Sequence, residues 1–201
     1  MRGLPSMIEI NPQRIRGRWL NGFALDFHTI SSTPIGENAY GHMQFDTVRP
    51  PVAELLYNLK YRGDVTVIGE IAAVAADFLK RQRRPIDIIV PAPPSAARRV
   101  QPVVLLAKSI GAALNIPVAG CVTTTRATSQ LKNITDPAER AEALAGLYAV
   151  DVQQTKGKAV LLFDDLYRSG STLNAITSLL LADGSAAQVD VLTITRTRSN
   201  Q

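Results

Sequence analysis

The chain has 201 residues, 46% of them hydrophobic and 19% charged, with a formal net charge of +5. The length predicts one main domain with a sizeable core, and the positive charge makes phosphates or nucleic acid plausible partners. Cys121 is the only cysteine, which excludes an internal disulfide and, with the spacing of the histidines, a zinc site. No run approaches the roughly 20 apolar residues that cross a bilayer. We therefore expect a cytoplasmic protein without a membrane partner.

The first 50 residues differ in pattern from the rest of the chain. From Arg14 to Thr29, the dipeptide Asn21-Gly22 stands between two strand-prone runs. This arrangement predicts a type I′ β-hairpin. Because Pro50-Pro51 marks a boundary, we predict an N-terminal hairpin segment over residues 1–50 and a core over residues 51–201.

Beyond this boundary, helical and strand patterns alternate. In chain order we predict a helix from Val52 into LKYRGD, a helix at Ile68–Leu79, a strand in IDIIVPAPP from Ile86, a helix at Arg98–Asn115, a strand at VAGCVTTT, a strand at Lys158–Phe163, a helix at Thr172–Ala182 and a last strand at QVDVLTITRT. Such alternation predicts an α/β fold with a mainly parallel, twisted sheet flanked by helices. Ligands bind such sheets at the carboxyl ends of the strands.

The most informative stretch is AVLLFDDLYRSGSTL, from Ala159 to Leu173. Asp164 and Asp165 follow a buried strand, and their carboxylates suit vicinal hydroxyls or a hydrated divalent cation. The RSGST loop after them opens a helix, whose unpaired N–H groups favour a phosphate. On its own, an acidic pair at a strand end is common, and so is a Ser/Gly/Thr turn. Joined in strand, loop and helix order, they predict a site for a phosphorylated sugar.

Two rival nucleotide-binding motifs are missing from the sequence. No GxxxxGK[ST] element precedes the acidic pair, which argues against an NTPase with a P-loop. No GxGxxG element occurs either, which argues against a dinucleotide-binding fold.

The stretch VLLFDDLYRSGST resembles the phosphoribosyl pyrophosphate (PRPP) motif of type I phosphoribosyltransferases. Within that superfamily the chain is similar to the ComF group of competence-associated proteins. The supporting pieces are LKYRGD at Leu59–Asp64, IVPAPPSAARR at Ile89–Arg99, the TSQ of Thr128–Gln130, and VLTITRT near the end.

The resemblance implies a fold and a set of site residues. Asp164 and Asp165 would be the catalytic pair that contacts the ribose and, through PRPP and water, Mg²⁺. The 5-phosphate would be bound by Arg168, Ser169, Gly170, Ser171 and Thr172. The pyrophosphate would be bound by Ala92, Pro93, Arg98 and Arg99, and by Lys132 in a mobile loop over Arg126–Ala138.

The resemblance also implies the reaction, which is Mg²⁺-dependent transfer of the phosphoribosyl group to a nitrogen acceptor with release of pyrophosphate. Three departures bear on it: the four-cysteine zinc element of many ComF-like proteins is missing, Ser95 stands where a histidine is expected, and Arg168 stands where enzymes for 6-oxopurines carry an aspartate. The alternative is a non-catalytic module that binds PRPP or a nucleotide, or assists DNA uptake.

The residues outside the PRPP motif leave several questions open. Since the sequence ends soon after the last strand, residues 1–50 are the expected hood over the acceptor, where Trp19, Phe23 and Phe27 either pack or stack on a base. Lys60 and Arg62 are either site cations or solvated charges. His28 and His42 are expected to be surface or hood residues rather than catalytic ones. The sequence predicts neither the acceptor nor the oligomeric state.

Overall fold

A computed structural model describes residues 8–94, 101–126, 134, 136, 139 and 143–198. Its strands are β1 (Gln13–Arg14), β2 (Asn21–Phe27), β3 (Ser31–Glu37), β4 (Met43–Val48), β5 (Ile88–Pro91), β6 (Val122–Thr124), β7 (Tyr148–Val150), β8 (Ala159–Tyr167) and β9 (Gln188–Arg196). Its helices are α1 (Pro51–Tyr57), α2 (Ile68–Gln82), α3 (Pro102–Leu114), α4 (Val152–Thr155) and α5 (Ser171–Ala182). Among these described helices, none has the length and hydropathy of a membrane span.

A five-stranded sheet in the order β1-β2-β9-β8-β5 forms the centre of the protein. All pairs are parallel except β1 with β2. Alternate residues of β8 enter different cores: Leu161 and Phe163 pack with α1, α2 and α3, whereas Val160 and Leu162 pack with α5. Burial on both faces explains the nearly unbroken apolar run of this strand. The predicted α/β fold with a mainly parallel sheet is confirmed.

The Asn21-Gly22 turn prediction is wrong, because both residues lie inside β2. β1 does pair with β2 as an antiparallel hairpin, but the chain reverses before Asn21. Gly22 leaves room for the indole of Trp19: a Cβ at Gly22 would lie 2.1 Å from Trp19 Nε1, which donates a hydrogen bond to the Ile15 carbonyl at 3.1 Å. The glycine is required by side-chain packing and not by a turn.

Of Trp19, Phe23 and Phe27, the first two pack within the protein. Trp19 is buried in the core on the α5 side of the sheet. Phe23 lies edge-on to Phe78 of α2, with ring centroids 5.3 Å apart. Phe27 lies near the end of β9, where the Arg198 guanidinium is 4.9 Å from its ring centroid.

Two smaller two-stranded ribbons lie outside the central sheet. Within the N-terminal segment, β3 and β4 pair only with each other among the described residues, and almost every residue of both strands is exposed. The other ribbon pairs β6 with β7. The predicted strand VAGCVTTT therefore divides, since only β6 is extended in this ribbon while Val118 bridges Ile89 of β5.

Candidate active site at the carboxyl edge of the sheet

The acidic pair lies inside β8 rather than after it, because the strand continues past Phe163 to Tyr167. On one flank, Asp164 still pairs with Thr193 of β9. On the other flank, β5 ends opposite Phe163, and the Ala92 N–H closes this ladder on the Phe163 carbonyl at 2.8 Å. β8 therefore projects beyond β5, and Asp164 and Asp165 lie in the projecting part of the strand.

Asp164 carries a strongly perturbed carboxyl group. Its burial, together with the neighbouring Asp165 carboxylate, raises the pKa of Asp164 to about 7. The Asp165 N–H donates a hydrogen bond to Asp164 Oδ1 at 2.8 Å, which partly offsets this effect. Ionising a carboxyl group with a pKa near 7 is costly in the free protein. A ligand that brings hydroxyl donors or a cation stabilises the ionised form.

Lys60 forms an ion pair with the second acid. Its Nζ lies 2.9 Å from Asp165 Oδ2, and the two side chains are only 14% and 13% exposed. Lys60 belongs to a π-helical turn, Asn58–Arg62, that continues α1 and ends at Gly63 in the left-handed conformation. π-Turns of this kind are frequent at functional sites. The structure thus brings Lys60, whose role the sequence left open, into the acidic pair.

The second cation of LKYRGD is not brought into this cluster. Arg62 is exposed, and its guanidinium lies 5.6 Å from the ring centroid of Tyr57. Of the two alternatives that the sequence left for Arg62, the geometry favours a solvated surface charge.

The predicted 5-phosphate loop connects β8 to α5. Arg168 and Ser169 are exposed, and Ser169 Oγ lies 3.0 Å from Ser171 Oγ in the first turn of α5. Ser171 and Thr172 begin α5, whose first N–H groups have no partner within the helix. The loop therefore presents hydroxyl groups and helix-start amides close to the acidic pair, an arrangement suited to a phosphate.

Gly170 is required at the turn into α5, and we expect Gly170→Ala to destabilise the protein by about 1 to 3 kcal/mol. Its φ is +76°, and a Cβ there would lie 2.8 Å from the Tyr167 ring. Chemical denaturation measures the loss. Gly69→Ala is the matched control, because Gly69 lies in α2 with no heavy atom within 4 Å of its Cβ position. A Gly170→Ala variant as stable as this control would contradict the prediction.

The predicted pyrophosphate loop is described only at its beginning. Ala92 is buried and its N–H is already bonded to Phe163, while Pro93 has no N–H. Neither residue therefore offers a backbone donor to an anion. Arg98, Arg99 and Lys132 lie outside the described residues, as does most of the predicted mobile loop.

His28, which the sequence predicted to be a surface or hood residue, lies at the edge of the candidate site. It follows the carboxyl end of β2, is partly buried, and places Nδ1 3.1 Å from Thr195 Oγ1 of β9. Burial and the charges of Lys60, Arg49 and Arg168 lower the pKa of His28, against the opposing effect of Asp165. The parallel pairing of β2 with β9 and the contact with Thr195 place the imidazole at the same edge of the sheet as the acidic pair.

A recognisable signal for His28 exists in the sequence. The rule that ligands gather at the carboxyl ends of parallel strands identifies His28 once β2 is recognised as a parallel strand. The hairpin interpretation of Asn21-Gly22 prevented this identification of His28. Arg49 was missed for a different reason, since it lies in a connection, where it contacts Glu54 at 3.4 Å and stacks on Tyr57.

The acidic pair fits a magnesium ion that is held mainly by its substrate. Among the described residues, no group of three or more His, Cys, Asp or Glu side chains could enclose a metal. Two adjacent carboxylates, one of them paired with Lys60, suit an ion that keeps its waters and binds substrate phosphates. The indirect role of Asp164 and Asp165 toward Mg²⁺ stays a prediction.

A groove lies along α5, and its lining includes Ser171 of the predicted 5-phosphate loop but neither residue of the acidic pair. Its volume is about 690 Å³, and its lining includes Arg18, Gly146, Asn174 and Ser178. Arg18 is engaged within the groove, since Nη1 donates to Ser178 Oγ at 2.7 Å. We place the candidate chemistry at the carboxyl edge, where carboxylates, Lys60 and a helix start converge.

No protein-family model and no curated protein matches the sequence. Solved structures do resemble the fold. Adenine phosphoribosyl transferase from Trypanosoma brucei, in complex with AMP, pyrophosphate and ribose-5-phosphate, aligns with a TM-score of 0.51 and 16% identity over 94% of this chain and 75% of that one. Glutamine PRPP amidotransferase from B. subtilis aligns with a TM-score of 0.51 and 16% identity. This alignment covers 78% of this chain but only 34% of that enzyme. The chain thus has the fold of type I phosphoribosyltransferases.

Proposed function

We propose that the protein is a phosphoribosyltransferase that binds Mg·PRPP and transfers its phosphoribosyl group to a nitrogen acceptor, releasing pyrophosphate. The observation that carries this proposal is the meeting of the Asp164–Asp165 pair and the helix start at Ser171 on one strand–loop–helix unit. One part suits a diol and the other suits a phosphate, so a ribose 5-phosphate would bridge them. The fold neighbour crystallised with AMP, pyrophosphate and ribose-5-phosphate supports this assignment.

In this mechanism the protein mainly orients its substrate and stabilises charge. Asp164 and Asp165 accept hydrogen bonds from the ribose hydroxyls, while the residues from Arg168 to Thr172 hold the 5-phosphate. Bound Mg²⁺ would supply positive charge to the pyrophosphate. Arg98, Arg99 and Lys132 are the proposed protein cations for the same leaving group.

We further assign the protein to the ComF-like group and to the cytoplasm, with residues 1–50 contributing the hood. The assignment rests on the quoted sequence pieces and on the single, buried thiol of Cys121, which suits a reducing compartment. Within that segment, the exposed β3–β4 ribbon is the part that stands outside the sheet and is available to cover an acceptor. We also propose that the protein forms a homo-oligomer and that nucleic acid is a partner.

A second candidate is a module that binds PRPP or a nucleotide without turnover. One observation favours it: Ala92 and Pro93 provide no backbone donor to a pyrophosphate. Stabilisation of the leaving group would then depend on groups other than these two backbone positions.

Titration calorimetry with Mg·PRPP tests the site, and pyrophosphate release across nucleobases and simple amines tests the reaction. Micromolar binding with acceptor-dependent release supports the transferase. Binding without release from any acceptor favours the module. Absence of binding overturns both. Salt-dependent binding of oligonucleotides without pyrophosphate release would point to a nucleic-acid role.

A further inference from the structure

The order of strands at the carboxyl edge separates two flanks of the proposed site. From β5 to β2, the edge carries first the beginning of the pyrophosphate loop at Ala92, then the acidic pair on β8, then Thr195 on β9, and finally His28. Because neighbouring strands lie about 4.8 Å apart, β2 and β8 are about 10 Å apart. A ribose held by the acidic pair would therefore have the leaving group on one side and His28 on the other.

Substitution at the anomeric carbon needs this separation, since the attacking nitrogen and the departing pyrophosphate occupy opposite sides of that carbon. His28 stands on the flank from which the nitrogen would approach. Its backbone is fixed there, because the His28 N–H donates to the Arg196 carbonyl at 2.7 Å and so extends the pairing of β2 with β9.

Thr195 links His28 to the strand of the acidic pair. Its buried Oγ1 lies 3.1 Å from His28 Nδ1 and 3.4 Å from the Asp165 carbonyl. When the hydroxyl donates to that carbonyl, Oγ1 accepts at the contact with His28 and Nδ1 is the donor. In a neutral ring this leaves Nε2 with a lone pair, and Nε2 has no hydrogen-bond partner among the described residues.

We propose that His28 Nε2 accepts the proton of the attacking nitrogen, so that the acceptor is a compound with an N–H at that atom. The proposal rests on the transferase function above. In the step, the acceptor nitrogen forms a bond to the anomeric carbon, the bond from that carbon to the pyrophosphate oxygen breaks, and the nitrogen's proton passes to Nε2. A pyridine-type nitrogen, which has no proton to release, is outside this class.

The charges around His28 are consistent with a neutral ring in the free protein. Lys60 of the π-turn, Arg49 of the connection before α1, and Arg168 of the 5-phosphate loop all oppose its protonation, while Asp165 of β8 favours it. Burial and the three cations together outweigh the effect of Asp165, so the pKa of His28 lies below its usual range. Bound PRPP adds negative charge to this mouth and helps the imidazolium to form during the transfer.

The test uses His28→Asn, because an Asn amide reaches Thr195 as Nδ1 does but lacks the outer nitrogen. Mg·PRPP affinity should change less than about threefold, whereas kcat for adenine, hypoxanthine, orotate or an aromatic amine should fall about 100-fold or more. Nicotinate and quinolinate, whose ring nitrogen carries no hydrogen, should not react. Asp183→Asn, at the exposed end of α5, is the control and should leave both quantities unchanged.

Two further measurements distinguish proton transfer from a structural role. Added imidazole should restore part of the rate of His28→Ala, which a loss of packing would not allow. Nitrogen NMR of the free wild-type protein should show protonated Nδ1 and unprotonated Nε2 at pH 7. A ring protonated on Nε2, an unchanged kcat in His28→Asn, or reaction with the pyridine-type acids alone overturns the role of His28 even where Mg·PRPP binds. If Mg·PRPP binds but no acceptor reacts, the proposal falls with the transfer; if it does not bind, the whole functional assignment falls.

Discussion

Asp164→Asn is expected to weaken binding of Mg·PRPP by about 10- to 100-fold and to make the free protein more stable at pH 8. The first effect follows from the loss of a charged hydrogen-bond acceptor, worth about 1.5 to 3 kcal/mol. The second follows from the cost of holding this carboxylate ionised among buried groups and beside Asp165. The double variant with Asp165→Asn should show no measurable binding while it keeps the fold.

The direction of the stability change in Asp164→Asn follows from the titration of Asp164. The pKa of Asp164 is about 7 in the folded protein, against an ordinary value of about 3.9 when unfolded. Between these values the folded state keeps a proton that the unfolded state has released, so stability falls as the pH rises from about 4 to 7. Asparagine does not titrate. Relative to the wild type, Asp164→Asn should therefore gain stability across this window and keep the gain at pH 8.

Urea denaturation at pH 4, 6 and 8, combined with calorimetry, measures both effects. Since each unit of pKa shift corresponds to about 1.4 kcal/mol, we expect a relative gain above about 1 kcal/mol. Asp183→Asn is the matched control, because Asp183 is exposed at the far end of α5. Unchanged PRPP affinity in Asp164→Asn would refute the role of this residue, and a constant stability difference at all three pH values would refute its perturbed ionisation.

Lys60→Met is expected to lower the free energy of unfolding at pH 7 by about 3 kcal/mol, because it leaves the Asp165 carboxylate unpaired in a nearly closed site. Methionine keeps most of the apolar stem, so the loss reports on the charge rather than on packing. Chemical denaturation measures it. Lys80→Met, at an exposed position in the last turn of α2, should change stability by less than about 0.5 kcal/mol.

A double-mutant cycle isolates the ion pair from other effects of the substitution. Adding Asp165→Asn to Lys60→Met should recover most of the lost stability, since no buried charge then lacks a partner. If the two substitutions are simply additive, the 2.9 Å contact contributes no coupling and its assigned role is wrong.

The sequence predicted the elements whose signals are local. The strand of β8, the loop that follows it and the start of α5 are adjacent in the chain, so apolar periodicity, Gly170 and the two acids could be interpreted together. The same holds for α2, whose alanine-rich pattern predicted Ile68–Leu79 and whose observed range is Ile68–Gln82. Long apolar segments indicate their own secondary structure because burial on regular faces stabilises them.

The missed parts of the site depend on contacts between distant residues. Asn21 hydrogen-bonds Asp190, 169 positions away, and no local pattern indicates that β2 runs parallel to β9. The Asn-Gly dipeptide was a misleading local signal, because the reason for Gly22 is the indole of Trp19. His28 and Lys60 became interpretable only when the sheet order and the path of α1 placed them beside β8.

The turn that carries Lys60 contains one residue more than an α-helical turn, since the Gly63 N–H donates to the carbonyl of Asn58, five positions back. Each residue of an α-helix rotates the chain by about 100°, so this added residue sets the direction from which the ammonium group approaches Asp165. The ion pair thus depends on spacing as well as on residue identity. Removing any one residue between Tyr57 and Gly63 while retaining the lysine should break it, an effect that scanning by substitution cannot detect.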